Sequence, residues 1–186
     1  MFKITQFYYY LFACLVLSVS SCISIEGVTD DYKTLTEEER RKVIMLSGNI
    51  DELQINDSIY LVNHVQIQEW LNTKDNAIVY GYTPYCTSEN CIAPSLLYEC
   101  CVENDFDLLV ISDTFNGISK TPNGKTNIFM IDSDYYQTKN RRKYTRLFFD
   151  NLTETSEKER QATLFYLFKR GRYCGVSNNV DDLFDK

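Results

Sequence analysis

From residue 58 to residue 176, short apolar runs alternate with segments of helical spacing. Residues 58–63 (SIYLVN) predict a strand, and residues 66–71 carry the apolar spacing of a helix leading into the polar stretch 72–76. Residues 77–82 (AIVYGY) are apolar, β-branched and aromatic, which predicts a buried strand, and a helical segment follows from about residue 88 to 102. Residues 107–112 (DLLVIS) are a near-continuous apolar run, hence another buried strand. Pro122 and Asn123-Gly124 mark residues 114–125 as a loop before a strand at 127–131 (NIFMI). Residues 141–152 are amphipathic: Tyr144, Leu147, Phe148 and Leu152 share one side, with Arg141, Arg142 and Arg146 largely on the other. Residues 163–168 and 172–176, on either side of Lys169-Arg170-Gly171, read as a hairpin, and the polar tail 179–186 suggests a final helical turn. Upstream, residues 36–45 begin with a capping Thr36, then acids, then bases, which predicts a short helix. Strand, helix and strand before residue 83 make a βαβ unit, so the chain reads as an α/β fold with a central mixed sheet flanked by helices.

At 186 residues and 44% hydrophobic, the chain is long enough to bury one sizeable core. A net charge of −7 and a pI near 4.8 argue against a nucleic-acid partner, which needs a basic face. Residues 1–21 stand apart from the fold. Lys3 is a thin basic start, residues 7–19 are apolar but short for a membrane span, and Val19-Ser20-Ser21 supplies small residues before Cys22. The arrangement is similar to a bacterial lipoprotein signal, in which Cys22 becomes the lipidated first residue; the competing reading is an ordinary secretory signal or short anchor. The expected organisation is a signal peptide at 1–21, a tether at 22–35 and one domain at 36–186, lipid-anchored in the cell envelope. Outside the cytoplasm disulfides persist. Five cysteines remain after Cys14 and Cys22, namely Cys86, Cys91, Cys100, Cys101 and Cys174. An odd number leaves at least one free or paired with another molecule.

A cysteine where a strand hands over to a helix sits in the positive field of the helix N-terminus, which favours the thiolate. Cys86 is expected at such a place. There the sequence reads Tyr85-Cys86-Thr87-Ser88-Glu89-Asn90-Cys91-Ile92-Ala93-Pro94. It resembles the thioredoxin superfamily, whose members read W-C-G-P-C-K-M-I-A-P after a central strand. The resemblance puts Cys86 on the attacking cysteine and Pro94 on the proline that kinks the active-site helix. Glu89 stands at the resolving-cysteine position, and Cys91 follows two residues later. Thr163-Leu164-Phe165-Tyr166-Leu167-Phe168-Lys169-Arg170-Gly171 resembles the family's T-L-x-x-F-K-x-G hairpin, with Ala162 where the family has a cis-proline. A non-proline cis bond costs about 2.5–4 kcal/mol, so a trans bond and an altered groove are expected there. The two matches bracket residues 77–176. The strand at 127–131 resembles the insertion of lipoprotein-type and peroxiredoxin-like members, so the resemblance implies a thioredoxin-like fold with an extra strand.

In a continuous helix Cys86 and Cys91 would lie roughly 7.5 Å apart along the axis. That exceeds the roughly 7 Å limit on Cα separation for a disulfide, so the two can pair only if residues 87–90 are a loop and the helix starts later. Ser88 and Thr87 are equal candidates for its N-cap. A redox pair, a lone Cys86 thiol and a purely structural disulfide all stay open. Glu89 reads as a proton acceptor for Cys86 or as a solvated first-turn acid, and Tyr85 as a groove residue or plain surface aromatic. Cys100 and Cys101 share helical spacing with Ile92, Ala93, Leu96 and Leu97 and read as small core residues. Cys174, in the last strand, is core or a partner for another thiol.

Gly81-Tyr82-Thr83 resembles copper-delivery relatives, but the C-x4-C spacing and the upstream position of the single histidine, His64, speak against a metal. Thr83-x-x-Cys86 matches a peroxidase T-x-x-C, yet Val79 stands where that motif has proline. No cofactor is expected. Tyr135-Tyr136 beside Arg141 and Arg142 is a candidate binding surface, with scattered surface aromatics the plainer reading. The function expected from the resemblance is thiol–disulfide exchange on extracytoplasmic protein disulfides or small thiols. Cys86 and Cys91 would react, with Tyr85, Glu89, Ala162 and Thr163 along the substrate groove. The alternative is a non-catalytic binding or accessory lipoprotein on a degenerate thioredoxin scaffold.

Overall fold

Seven strands form one mixed sheet in the order β1-β2-β5-β4-β3-β6-β7. The computed structural model of the chain describes residues 28–88, 91–118, 125–160, 164–180 and 182–184. The strands are β1 (Val43–Met45), β2 (Ile59–Val62), β3 (Asn76–Tyr82), β4 (Asp107–Ser112), β5 (Ile128–Ile131), β6 (Phe165–Lys169) and β7 (Arg172–Ser177). The helices are α1 (Glu37–Arg41), α2 (His64–Leu71), α3 (Pro94–Glu103), α4 (Arg141–Thr153) and α5 (Glu157–Arg160). β1, β2, β5, β4 and β3 run parallel, and the β6–β7 hairpin closes the sheet with β6 antiparallel to β3. The α/β class and the mixed sheet flanked by helices are therefore as expected.

The two faces of the sheet bury two separate apolar layers, as the two-residue period of strands requires. Ala77 and Val79 of β3 join Ile67, Trp70 and Leu71 of α2 and Tyr144, Phe148 and Leu152 of α4 on one face. Ile78 and Tyr80 point the other way, to Leu97 and Cys101 of α3 and to Leu183 near the chain end. The burial of β3, β4 and β5 on both faces explains their near-continuous apolar sequences.

Two of the expected elements change. The segment expected as one helix at 36–45 is split. Thr36 caps α1 in a reciprocal box with Glu39, the helix stops at Arg41, and β1 takes Val43–Met45 as an edge strand. β2, α2 and β3 do follow as a βαβ unit with parallel strands, and β5 and β4 stand between β2 and β3 in the sheet. The second change concerns α3. It begins at Pro94 rather than near residue 88, with Ala93 at the N-cap and no side-chain cap from Ser88 or Thr87. Proline at the first helical position costs no hydrogen bond and fixes φ for the turn, so here it starts the helix rather than kinking it.

Residues 28–35, expected within the tether, lie against the domain. Leu35 is buried, the Phe115 N–H donates to the Asp30 carbonyl, and the Arg141 N–H donates to the Val28 carbonyl. The buried Asp31 accepts from the Thr114 hydroxyl at 2.8 Å, and the buried Asp30 accepts from the Ser133 hydroxyl at 2.7 Å. Among the described residues no helix is long and apolar enough to cross a membrane. Cys22 and the signal segment lie outside the described residues.

Candidate functional site

The carboxyl ends of β3 and β4 carry the residues that matter. β3 ends at Tyr82, and the chain turns through Pro84, with the Cys86 N–H donating to the Thr83 carbonyl at 3.0 Å. A second turn follows, in which the Cys91 N–H donates to the Ser88 carbonyl at 2.9 Å. Because α3 starts only at Pro94, Cys86 and Cys91 come within a Cα separation of 6.1 Å and form a disulfide. This meets the loop condition that pairing required. Both cysteines are half-buried.

The later start of α3 leaves Cys86 outside the helix: α3 begins at Pro94, with Ala93 at the N-cap, and Cys86 reaches that end of the helix only through its bond to Cys91.

Neighbouring elements hold the loop. The buried Tyr80 hydroxyl donates to the Ile92 carbonyl at 3.0 Å, fixing the chain between Cys91 and α3, and burial pushes its pKa up to about 12. Gly117, at φ 78°, brings the loop after β4 against Pro84; a Cβ there would stand 3.2 Å from the proline Cβ. Tyr85 is 48% exposed, and its hydroxyl accepts a hydrogen bond from Arg141 Nη1, whose guanidinium lies 5.7 Å from the ring centre.

Arg141 is the residue that the sequence pattern misplaced. The helical wheel puts it on the polar side of α4, yet its side chain is only 13% exposed. It bridges Tyr85 to Asp113, with Arg141 Nη2 2.5 Å from Asp113 Oδ1. Asp113 is itself held by Thr145, whose hydroxyl donates to Oδ2 at 3.0 Å, and by Tyr144, whose hydroxyl donates to the Asp113 carbonyl. Burial works against the guanidinium charge, but the bonds and charge of Asp113 outweigh it, so the Arg141 pKa is raised further still. A legible signal existed: Arg141 follows Asn140, the N-cap of α4, and a cation in a first turn opposes the helix dipole unless something compensates it.

The other cysteines separate cleanly. Cys101 is fully buried among the α3 contacts and is a core residue as expected; burial first, then Cys100 and Asp107, push its thiol up to about 12. Cys100 is half-buried. Cys174 is exposed, because the β6–β7 register shifts so that Leu167 faces Gly175 and Phe168 faces Tyr173, leaving Cys174 as the extra residue of a bulge. The core reading of Cys174 is thus overturned. His64 opens α2, and its Nδ1 lies 2.8 Å from the Tyr136 hydroxyl. Glu89, Ala162 and Thr163 lie outside the described residues. A cleft of about 330 Å³ opens elsewhere, lined by Asp30, Tyr32, Phe115, Asp132 and Lys139 and by none of the expected site residues.

In comparisons with known proteins the chain matches no family model, no curated protein and no solved structure.

Proposed function

We propose that this chain is a thiol–disulfide exchange protein of the cell envelope, thioredoxin-like in fold and lipid-anchored at Cys22, acting on extracytoplasmic protein disulfides or small thiols. The observation that carries the reading is the Cys86–Cys91 disulfide, half-exposed in a loop beyond the carboxyl end of a central parallel strand. Open α/β sheets place their chemistry at that edge. The thioredoxin-like reading draws support from β3, which is followed by the cysteine loop and flanked by parallel β4 and an antiparallel hairpin. In this reading β5 is the extra strand.

The reaction proceeds from the reduced dithiol. The Cys86 thiolate attacks one sulfur of a substrate disulfide; the new S–S bond forms as the old one breaks, and the released substrate sulfur takes a proton. The Cys91 thiolate then attacks the Cys86 sulfur, closes the intramolecular disulfide and frees the second substrate sulfur as a thiol. The substrate gains the two electrons and two protons that the Cys86–Cys91 dithiol loses, and the reverse sequence oxidises a substrate dithiol. Tyr85 flanks the reacting sulfur, and Ala162 and Thr163 would supply backbone for the substrate strand.

The deciding experiment equilibrates the full chain across glutathione or dithiothreitol redox series and reads Cys86 and Cys91 by alkylation and mass spectrometry. A reversible pair between roughly −120 and −270 mV supports exchange, and Cys86→Ser should abolish it. The second reading, a binding or accessory lipoprotein with a structural disulfide, is favoured by the start of α3 at Pro94, which leaves Cys86 outside the helix's first turn. It requires a potential below about −300 mV, or reductase activity that survives in Cys86→Ser.

A further inference from the structure

We infer that the exposed cationic face at the start of α4 is the docking surface for the protein that exchanges with Cys86–Cys91, and that this partner carries an acidic segment beside its own cysteine. The inference rests on the exchange reading above. Arg141, Arg142 and Lys143 are the first three residues of α4, whose first turn contains no acid. A helix start carries partial positive charge, so cations there are unfavourable unless compensated. α1 shows the opposite, ordinary arrangement, with Glu37, Glu38 and Glu39 first and Arg40 and Arg41 last. Asp113 compensates Arg141. Arg142, Lys143 and Arg146 are exposed and make no ion pair among the described residues.

These three share a face, since Arg146 lies four residues after Arg142 and three after Lys143. The face belongs to the helix whose first residue, Arg141, is bonded to Tyr85, and Tyr85 precedes Cys86. In a chain of net charge −7, this cluster is a local reversal of sign on the helix that starts at the Tyr85 contact. Carboxylates flanking a partner's cysteine would meet cations that make no ion pair among the described residues. The acidic remainder of the surface would repel the same segment, so the attraction also orients the approach.

The test compares two thiol peptides, each with one cysteine, flanked in one by glutamates and in the other by serines. Initial rates of mixed-disulfide formation with the oxidised full chain are read by mass spectrometry. Each rate is referred to that peptide's rate with a small disulfide. The acidic peptide should react faster by roughly tenfold or more at low ionic strength. That advantage should vanish near 1 M, where the screening length falls to about 3 Å. Arg142→Glu/Arg146→Glu should lose the advantage. Arg170→Glu/Arg172→Glu makes the same change in net charge at the hairpin end of the sheet, beyond the opposite end of β3, and should keep it.

Equal rates for the two peptides, or equal loss in both double variants, would overturn the inference. If neither peptide reacts, the exchange reading fails, and docking is then read from anisotropy of a labelled acidic peptide with serine in place of cysteine. Salt-sensitive binding lost only in Arg142→Glu/Arg146→Glu supports the surface; no binding refutes it.

Discussion

At the scale of single residues, Arg141 shows how one side chain couples distant parts of the chain. It reaches Tyr85, 56 residues away, and Asp113, 28 residues away. Arg141→Ala would leave the Asp113 carboxylate, only 22% exposed, without its cation. Hydrogen bonds to charged groups contribute about 1.5–3 kcal/mol, so the urea midpoint should fall by a corresponding amount. Arg141→Lys should recover part of that loss, since an ammonium lacks the fork that spans two partners.

His64 is the only histidine, so its imidazole resonances are unambiguous by NMR. Burial holds its pKa below the ordinary 6.5. The folded state therefore binds fewer protons than the unfolded chain between its folded pKa and 6.5. Stability attributable to this group is present above pH 6.5 and declines as pH falls through that window. An NMR titration midpoint at or above 6.5 would contradict this. Tyr85, Cys86 and Cys91 were legible as a group because they are neighbours in sequence. Arg141 and Asp113 were not, because only the sheet order brings β4 and α4 to the same edge.

Individual elements were read well where one periodicity ran uninterrupted, as in β3, β4, β5 and α4. Boundaries moved where a local signal competed with it. The apolar run after α1 continued the helical pattern, but β2 offered a parallel partner for Val43–Met45. Pro94 marked the true start of α3, because proline is at home in the first helical turn and disruptive further in.

The hairpin was legible as a turn, and its chemistry is specific. Lys169 pairs with Arg172, so Arg170 at φ 50° and Gly171 at φ 74° form a two-residue loop with both φ positive. A Cβ on Gly171 would lie 2.1 Å from Asn72 Oδ1, and the Gly171 carbonyl accepts from Gln68 Nε2 at 2.8 Å. Gly171→Ala should therefore destabilise by at least about 1–2 kcal/mol from backbone strain alone, measured by chemical denaturation. An unchanged midpoint would show that the hairpin docks on α2 less tightly than the distances indicate.

For the molecule as a whole, the apolar layers on the two faces of the sheet carry the stability, and the disulfide closes only a short loop between residues five apart. A 15-residue loop yields about 3 kcal/mol in the chain-entropy account, and this shorter one yields less. Reduction should lower the melting temperature modestly and leave the far-UV circular dichroism unchanged. Loss of secondary structure on reduction would mark the bond as structural and count against exchange chemistry.

The sequence by itself determined the α/β class, the strands of the sheet's centre and the placing of a cysteine pair just after one of them. Those features follow from apolar periodicity, turn residues and spacing, which are local. Tertiary structure decided that β5 stands between β2 and β4, that α3 waits until Pro94, and that Arg141 turns inward to Asp113 and Tyr85. Each depends on which strand edges and which opposite charges meet in space, a matter of long-range pairing that no local pattern encodes.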